Sequence, residues 1–488
     1  MLNYIWIIIQ VPGVDAPGAE EVNSRSFSQS ARPFDCILTS GRSVYQLEHC
    51  MNYTEALEFL RQRGNEVQTM HLGLHRTYAM MQALGNPHHG FPSIHIAGTN
   101  GKGSVAAMLE SILTRAGYVT GLYTSPHLDK VEERMRIAGC QISARHFAAL
   151  ATRIQKTEAT LLRKKLLDRR LTTFELLTCC AFLCFAEKRV DIAIIEVGLG
   201  GKLDATNVIL PQLSIITGVS LDHQYLLGNS LTKIAKEKAG IIKEGVPVIS
   251  GCGDSAARRV VHLQSKKTGA PLLEIDQDCS IRARRNRGGL YSMDLATPLR
   301  EYRDLRISLP GEIQTRNAAL AVMASEALQS FEMTVQDIRY GIAHTVWPGR
   351  LDIYKSRRRT LLDGAHNPEA ARLLRKFLEE QRETEVHLVF GVVRDKNIRE
   401  IGKCLFPIAA SIHLTLLANS RSADPREIAE LHKNYRTRMR LHSQMDHALY
   451  SAWRECSRSG LVVVTGSLYL VGELLRIVRK HRRPVPAI

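Results

Sequence analysis

Short apolar runs alternate with amphipathic segments between residue 51 and about residue 346. The apolar runs predict strands at 93–97, 120–124, 191–197, 213–219 and 247–250. Apolar residues that recur with the helical period predict helices between them, including 103–116, 173–188 and 231–240. Continuous apolar strands that alternate with helices indicate a mostly parallel sheet, covered on both faces, that binds ligands at the carboxyl ends of its strands.

This alternation stops near residue 346 and then starts again. Residues 271–309 are richer in β-forming residues and predict an antiparallel extension, which helices at 312–328 and 335–345 follow. Beyond the W-P-G-R sequence, strands are predicted at 360–362, 386–392 and 461–464, and helices at 368–382, 424–432 and 446–458. We therefore predict an α/β protein with a P-loop domain at 51–346, a hinge at 347–350 and a smaller Rossmann-like domain at 351–488.

The first 50 residues differ from the rest of the chain. Their apolar run at 4–11 is too short to span a bilayer, and the segment that follows it is rich in Ser, Gly and Pro. We predict that residues 1–50 are a disordered or non-native extension, with Met51 as an alternative start. Thr54 is predicted to cap the first helix.

Composition narrows the class of partner. The 488 residues carry a net charge of +17, which would suit nucleic acid, an acidic membrane or small polyanions. Because the basic residues are scattered apart from local clusters and no nucleic-acid-reading module is present, the charge indicates either a basic solvated surface or small polyanionic ligands, and we expect no nucleic-acid partner. We also expect no membrane partner and a monomer. The ten cysteines show no CxxC pair and no Cys/His ligand spacing, so we expect reduced thiols in the cytoplasm.

One glycine-rich segment indicates a site for phosphate groups. It reads H-I-A-G-T-N-G-K-G-S at residues 95–104, between a predicted strand and a predicted helix. Its glycines permit a tight turn whose backbone N–H groups face an anion, and the helix N-terminus adds partial positive charge. Lys102 adds a full charge, and the Ser104 hydroxyl can reach a metal ion. Since Ile96 replaces the first glycine of the common GxxxxGK(S/T) pattern, a chance glycine-rich turn is the alternative.

Other polar residues follow the ends of predicted strands. Glu196 and His223 each come after an apolar run, where they suit a Mg²⁺ site or a plain surface loop. Asp363 precedes a helix that Pro368 begins, and it suits either a hydroxyl-rich ligand such as ribose or a capping turn. Arg350 lies on the predicted hinge, where it could form an interdomain salt bridge or reach a nucleotide.

Two lysines lie on the predicted helix at 231–240. The default prediction for both Lys236 and Lys238 is a solvated face. A protonated lysine cannot bind Mg²⁺, whereas a lysine carbamylated by CO₂ offers carboxylate-like oxygen ligands. The residues alone do not distinguish a solvated lysine from a carbamylated one.

Taken together, these segments resemble the folylpolyglutamate synthase/dihydrofolate synthase family of ATP-dependent ligases, relatives of the muramyl amino-acid ligases. Seven ordered motifs between residue 51 and about residue 480 carry the resemblance: HIAGTNGKGS, TSPHL, EVGLGGKLDATN, LDHQxLLG, KAGIIK, DGAHNP and TGSLYLVGE. The resemblance implies a Mur-ligase-like central domain and a C-terminal glutamate-ligase domain. The DATN form is similar to that of bifunctional bacterial members, whereas Lys202, Asn397 and Gly349 depart from the usual pattern.

The resemblance also implies roles for individual residues. ATP would contact Gly98, Thr99, Asn100, Gly101, Lys102, Gly103, Ser104, Asn317, Arg350 and Asp363. Two Mg²⁺ ions would be held with Ser125, Glu196 and His223. The catalytic group would comprise Lys102, His223, His366 and a carbamylated Lys238. A pterin would contact Leu72, Gly73, Leu74, Thr172, Phe174, Leu203, Asp204 and Ala205.

The implied reaction adds L-glutamate to dihydropteroate and to tetrahydrofolate through an acyl phosphate, as part of folate biosynthesis. A muramyl-type or cyanophycin-type ligase is the alternative within the ligases, and the TSPHL and DATN segments argue against it. A P-loop switch or a non-catalytic binding module is the alternative from another class, since either would also contain a phosphate loop.

Overall fold

The computed structural model describes residues 50–64, 73–383 and 385–481. Its first sheet comprises β1 (Ser93–Ala97), β2 (Thr120–Tyr123), β3 (Met135–Ile137), β4 (Cys140–Gln141), β5 (Ile192–Glu196), β6 (Leu213–Ile216), β7 (Val248–Ser250) and β8 (Leu272–Glu274). The spatial order is β4-β3-β2-β5-β1-β6-β7-β8, and every pairing is parallel except those of β3 with β2 and β4. The predicted mostly parallel sheet is therefore confirmed.

Helices cover both faces of this sheet. They are α1 (Tyr53–Arg61), α2 (His75–Ala83), α3 (Lys102–Arg115), α4 (Ala144–Arg163), α5 (Thr173–Lys188), α6 (Gln224–Leu227), α7 (Leu231–Ala239), α8 (Ser255–Thr268), α9 (Ile275–Asp278), α10 (Ile313–Ala327) and α11 (Val335–His344). Alternate residues of β5 enter opposite cores: Ile194 packs in the core that contains α3 and α10, and Ile195 packs in the core that contains α4 and α5. This two-sided burial explains why the strand is apolar throughout.

The first helix begins one residue before the predicted cap. Asn52, not Thr54, caps α1: its side-chain oxygen accepts from the Glu55 N–H at 3.0 Å, and Glu55 accepts from the Asn52 N–H at 2.8 Å. The prediction was wrong because the reciprocal pair satisfies two helix N–H groups, which a Thr54 cap would not do with the residues present.

The β-rich segment divides between two sheets. Strands β9 (Ser280–Arg285), β10 (Tyr291–Ala296) and β11 (Glu301–Ile307) form an antiparallel sheet, as predicted. Strand β8, at the start of the same segment, instead joins the first sheet in parallel with β7. Apolar residues of β10 and β11 pack in the core that contains α3, so this small sheet extends that core.

A second parallel-rich sheet follows residues 347–350. It comprises β12 (Asp352–Lys355), β13 (Arg359–Leu362), β14 (Val386–Phe390), β15 (Ser411–Thr415), β16 (Met439–His442) and β17 (Leu461–Thr465), in the order β12-β13-β17-β14-β15-β16. Only β12 is antiparallel to its neighbour among these described strands. The accompanying helices are α12 (Pro368–Glu380), α13 (Ile398–Leu405), α14 (Pro425–Leu431), α15 (Met445–Glu455) and α16 (Leu468–Lys480). Among the described helices, none is long and apolar enough to cross a membrane.

Candidate active site

The phosphate loop lies between β1 and α3 and cannot accommodate side chains at its glycines. Gly98 has φ 157° and Gly101 has φ 87°, which disfavour other residues. A Cβ atom on Gly98 would lie 1.9 Å from Thr217 Oγ1, and one on Gly101 would lie 2.6 Å from Asn317 Oδ1. The loop is therefore a backbone-lined turn that opens into α3, as a phosphate site requires.

Strands β2, β5 and β1 are neighbours, so their carboxyl ends bring three predicted groups together. Glu196 ends β5, and its Oε1 lies 3.9 Å from Lys102 Nζ. Its Oε2 accepts a 3.1 Å hydrogen bond from the Ser125 N–H. Burial raises the pKa of Glu196, which the Lys102 charge and the Ser125 N–H partly oppose. A cation bound at this carboxylate would further favour its charged form.

Lys238 is buried, so the default prediction of a solvated face was wrong for it. Its Nζ donates a 2.8 Å hydrogen bond to the carbonyl oxygen of Gly98, whereas Lys236 on the same helix is exposed. The helical period turns Lys238 toward the sheet and Lys236 away from it. Burial, together with the nearby Lys102 charge, lowers the pKa of Lys238 to about 7. Much of this amine is therefore neutral near pH 7.

A polar network joins the strand ends of the two large sheets. Lys396, in the loop after β14, lies 2.6 Å from Asp222 Oδ1 and 3.0 Å from His223 Nε2. Asp222 Oδ2 accepts from Asn367 at 3.1 Å and lies 3.5 Å from His366 Nε2. Burial acts to raise the pKa of Asp222, but the hydrogen bond from His366 and the Lys396 charge prevail and hold it well below its usual range.

Asn367 links this network to the phosphate loop. Its side-chain amide donates to Asn100 Oδ1 at 3.0 Å, and Asn100 also donates to Glu369 at the start of α12. Asn367 is in addition the N-cap of α12, since its oxygen accepts from the Ala370 N–H at 2.9 Å. The loop and the second sheet therefore share one set of hydrogen bonds.

Asp363 supports the backbone at the same edge of the second sheet. Its Oδ2 accepts from the Leu351 N–H at 3.0 Å, and its Oδ1 accepts from the Ala365 N–H at 2.9 Å. Burial raises the pKa of Asp363, and the charge of Arg350 opposes this shift. Since Asn367 caps α12, Asp363 holds the segment after residue 350 in place and is not the cap of that helix.

The predicted nucleotide and metal residues line one cleft, open to solvent, of about 1430 Å³. They are Gly98, Thr99, Asn100, Gly101, Lys102, Gly103, Ser104, Ser125, Glu196, His223, Lys238, Asn317, Arg350, Asp363 and His366. An adjoining cavity of about 800 Å³ is bordered by Phe174, Ser125, His223, Lys396 and Arg421. Sequence reasoning missed Asp222, Asn367, Lys396 and Arg421. The sequence did contain a sign of three of these residues, since Asp222 and Asn367 lie within the family motifs and Lys396 follows the end of a strand.

The predicted pterin residues are less closely grouped. Phe174 lies against Gly198, where a Cβ atom would be 2.5 Å from the ring. Thr172 caps α5 in a reciprocal pair with Glu175. Gly73, Leu74, Leu203, Asp204 and Ala205 do not line either cavity among the described residues. Leu72 lies outside the described residues.

Asp204 is held by a buried chain of hydrogen bonds that starts at His95. Nε2 of His95 lies 2.9 Å from Thr206 Oγ1, and Thr206 donates to Asp204 Oδ1 at 2.5 Å. Because the single Thr206 proton goes to the carboxylate, His95 must donate from Nε2. This tautomer leaves its Nδ1 as a bare acceptor, in agreement with the absence of a partner in the described structure. The chain ties β1 to the loop that holds Asp204.

Comparison with known proteins identifies the family. The protein-family model "Mur ligase middle domain" matches residues 96–325, and the family model "Dihydrofolate synthetase, C-terminal domain" matches residues 350–477. The dihydrofolate synthase/folylpolyglutamate synthase of Bacillus subtilis is 32% identical over 407 residues, which covers 82% of this chain and 94% of that protein. The chain belongs to the folylpolyglutamate synthase/dihydrofolate synthase family.

Solved members of this synthase family share the fold over almost their whole length. Folylpolyglutamate synthase of Mycobacterium tuberculosis, complexed with ADP and AMPPCP, is similar with a TM-score of 0.81 and 31% identity, covering 88% of this chain and 100% of that chain. FolC of E. coli, in complex with DHPP and ADP, has a TM-score of 0.79 and 28% identity, covering 88% of this chain and 98% of that chain. The family membership that the motifs indicate is confirmed, and the chain is a ligase of this family.

Proposed function

We propose that this synthase uses ATP to join L-glutamate to dihydropteroate and to tetrahydrofolate, as a monomeric cytoplasmic enzyme of folate biosynthesis. The names of the B. subtilis and E. coli relatives, and the DHPP and ADP in the E. coli structure, support these substrates. The nine cysteines among the described residues are free thiols, which suits a reducing compartment.

The observation that carries the proposal is the meeting of two sheets at one cleft. The phosphate loop and Glu196 follow strands of the first sheet, and Lys238 is on helix α7 beside it. His366 follows a strand of the second sheet, as does Lys396, which borders the adjoining cavity. The Asp222 network joins these groups through hydrogen bonds. A nucleotide at the loop and an acceptor in the adjoining cavity would therefore meet beside Ser125 and His223, which border both spaces.

The residues present fit ATP and Mg²⁺. Backbone N–H groups of the glycine turn and the Lys102 ammonium suit a triphosphate, while the Glu196 carboxylate and the His223 imidazole suit a divalent cation. Nδ1 of His223 is buried without a hydrogen-bond partner in the described structure, and its pKa is lowered to about 3 by burial and by the Lys396 charge. The His223 imidazole is therefore neutral, so one of its nitrogens can offer a lone pair to a cation. We propose that two Mg²⁺ ions are held with Ser125, Glu196 and His223 and offset phosphoryl charge.

The remaining groups act by position and charge. A carboxylate resists attack by an amine because oxide is a poor leaving group, so the ATP γ-phosphoryl group must first pass to the acceptor carboxylate. Lys102 would stabilise charge on the phosphoryl oxygens during that transfer. The glutamate α-amine then attacks the acyl carbon and releases phosphate. Arg350 and Asp363 would position the nucleotide between the sheets, and His366 would hold Asp222 in place.

A carbamylated Lys238 completes the proposed centre. Addition of CO₂ requires a neutral amine, and the lowered pKa of Lys238 provides one near pH 7. The carbamate would carry negative charge and attract the Lys102 ammonium, whereas a protonated Lys238 would repel that ammonium. The modification therefore gives Lys102 an attractive partner and removes the repulsion from the protonated fraction of Lys238.

The deciding experiment measures ATP turnover by the full chain with dihydropteroate or tetrahydrofolate, each with and without L-glutamate. We expect ADP release that requires both acceptor and glutamate. Acceptor labelled with ¹⁸O in its carboxylate should pass one label into inorganic phosphate. Turnover without either substrate, or unlabelled phosphate, would contradict the proposal. Light scattering during size-exclusion chromatography measures the molar mass and tests whether the chain is a monomer.

A further inference from the structure

A cluster of histidines and carboxylates lies at the amino-terminal edge of the second sheet, on neighbouring strands and the end of α15. His387 is the second residue of β14, His413 is in the middle of β15, and Glu455 ends α15. The cleft described above adjoins the loops after the carboxyl ends of these strands. None of these three residues lines the cleft or the adjoining cavity of the proposed ligase centre.

The cluster brings ligand atoms to one point. One donor atom from each of His387, His413 and Glu455 lies within 4.8 Å of the other two. Nδ1 of His387 and Nε2 of His413 both contact the Ser411 hydroxyl, at 2.7 and 2.9 Å. Nε2 of His413 lies 3.5 Å from Glu455 Oε2. The inward-facing atoms are thus two imidazole nitrogens and one carboxylate oxygen.

The outward-facing nitrogens have partners of the kind that orient metal ligands. Nε2 of His387 lies 2.8 Å from Glu385 Oε1, and Glu385 is in turn held by the Ser457 N–H at 2.9 Å. Nδ1 of His413 lies 3.1 Å from Nε2 of His442. A histidine that binds a metal usually donates its other N–H to a carboxylate or a similar acceptor, which fixes its tautomer. His387 has this arrangement with Glu385, and His413 has the Nε2 atom of His442 at the corresponding position.

Negatively charged groups lie beside two buried imidazoles. His387 and His413 are 5% and 0% exposed, so their ring nitrogens are shielded from solvent. The carboxyl end of α15 and the carboxylates of Glu385 and Glu455 contribute negative charge. Arg440 lies 3.4 Å from Glu455 Oε1, so it leaves the second oxygen of that carboxylate facing His413.

We propose that His387, His413 and Glu455 bind a divalent transition-metal ion of the Zn²⁺ class, with Glu385 and His442 as the outer partners of the two histidines. Imidazole nitrogens and one carboxylate oxygen are ligands that Zn²⁺ accepts, at about 2.0–2.2 Å. Ligand atoms at that range lie roughly 3.3 Å apart, so binding draws the three groups slightly together. Binding requires the protons of His413 and His442 each to move from Nε2 to Nδ1, so that His442 Nε2 accepts from His413 Nδ1. The contact of His413 with the Ser411 hydroxyl is lost, and no proton is released.

Zinc titration of the full chain tests the site. After removal of metals and without nucleotide, Zn²⁺ alone is titrated by calorimetry, and metal content after dialysis is measured by mass spectrometry. We expect one equivalent to persist in excess Mg²⁺, which competes at the proposed ligase centre, and Glu455→Gln should weaken it at least tenfold. Glu455 is 33% exposed, so this variant should fold even if His413 variants do not. Glu385→Gln, which touches no metal, should weaken binding roughly tenfold to 100-fold through His387.

The matched control is His262→Gln, an exposed histidine on α8. It should bind Zn²⁺ like the wild type. Absorption of Co²⁺ in the visible range gives a second readout, because four-coordinate nitrogen and oxygen ligation produces intense bands that Glu455→Gln should remove. Equal Zn²⁺ affinity in the wild type, Glu455→Gln and Glu385→Gln would overturn the proposal, as would wild-type protein that binds no equivalent.

Discussion

Lys238 Nζ donates a hydrogen bond to the carbonyl oxygen of Gly98 across 2.8 Å, so the buried lysine supports the phosphate loop directly. Replacement by alanine removes this contact and the group that CO₂ would modify. We expect Lys238→Ala to lower kcat/KM roughly 100-fold or more, with partial recovery by short carboxylic acids at high concentration. Lys236→Ala, on the exposed side of the same helix, should retain activity. The carbamate would be contradicted if intact-mass spectrometry showed an unmodified Lys238 and Lys238→Ala kept full activity.

The lowered pKa of Lys238 predicts a pH dependence of stability. Between pH about 7 and its ordinary pKa of 10.5, the unfolded chain holds a proton at this lysine that the folded chain lacks. Stability contributed by the group therefore rises as pH increases through this range, by about 5 kcal/mol in total without CO₂. Urea unfolding of the wild type and Lys238→Met in bicarbonate-free buffer measures the difference. A constant difference from pH 7 to pH 9.5 would contradict the prediction.

Removal of the Lys102 charge should abolish ligation while the fold persists. The side chain is partly exposed, and in the described structure it contacts loop carbonyls and Glu196, so little packing is lost in Lys102→Ala. We expect kcat to fall at least roughly 10²-fold, because Lys238, the other lysine at the loop, is held on the Gly98 carbonyl and does not replace the lost charge. Thermal unfolding checks the fold, and Lys267→Ala on the exposed face of α8 is the control. Full activity in Lys102→Ala would refute the assignment of the phosphate site.

The chain from His95 through Thr206 to Asp204 predicts a contrast between two substitutions at one residue. Thr206→Val keeps the shape but removes the hydroxyl, which leaves a buried carboxylate short of one donor at a cost of about 1–3 kcal/mol. We expect a raised KM for dihydropteroate with little change in the KM for ATP. Thr206→Ser should restore both values. Equal KM values for all three proteins would show that the chain has no influence on the acceptor.

The Asp222 network predicts sensitivity to acid. Because the pKa of Asp222 is held below its usual range, its stabilising contribution is complete above its unfolded pKa of about 4 and is lost as pH falls below it. Lys396→Met should destabilise the chain by about 3–5 kcal/mol at pH 7, since it leaves Asp222 buried without its ammonium partner. This loss of stability in Lys396→Met should become smaller toward pH 3. Denaturant unfolding of the wild type and the variant at pH 7 and at pH 3 measures it.

Periodicity and glycine-rich motifs predicted much of this molecule. The apolar runs located β1, β5 and β6, and helix α5 has the predicted ends, since Thr172 and Glu175 form a capping box that the sequence displays. Edge strands β12 and β16 were missed because exposed residues interrupt their apolar pattern. The buried strand β15 was missed as well, because three of its five residues are polar. Burial of Lys238 was also missed, because one lysine on a helix with polar neighbours carries no sign of which face it occupies.

The cluster around His413 shows a different limit of sequence reasoning. Its ligands are 26 and 42 residues from one another along the chain, at 387, 413 and 455, so no short spacing identifies them. Parallel strand pairing brings His387 beside Ser411 and places His413 on the same face. Register between strands, not local spacing, creates this group, and register follows only from the folded sheet.

The position of β5 between β1 and β2 has a consequence for synthesis on the ribosome. Strands β1 and β2 are complete by residue 123, but the strand that separates them begins at residue 192. Until it emerges, the nascent chain exposes two apolar strand edges that cannot pair with each other in the native order. Such edges promote aggregation, so translation pauses before residue 192 should increase the dependence of this polypeptide on chaperones.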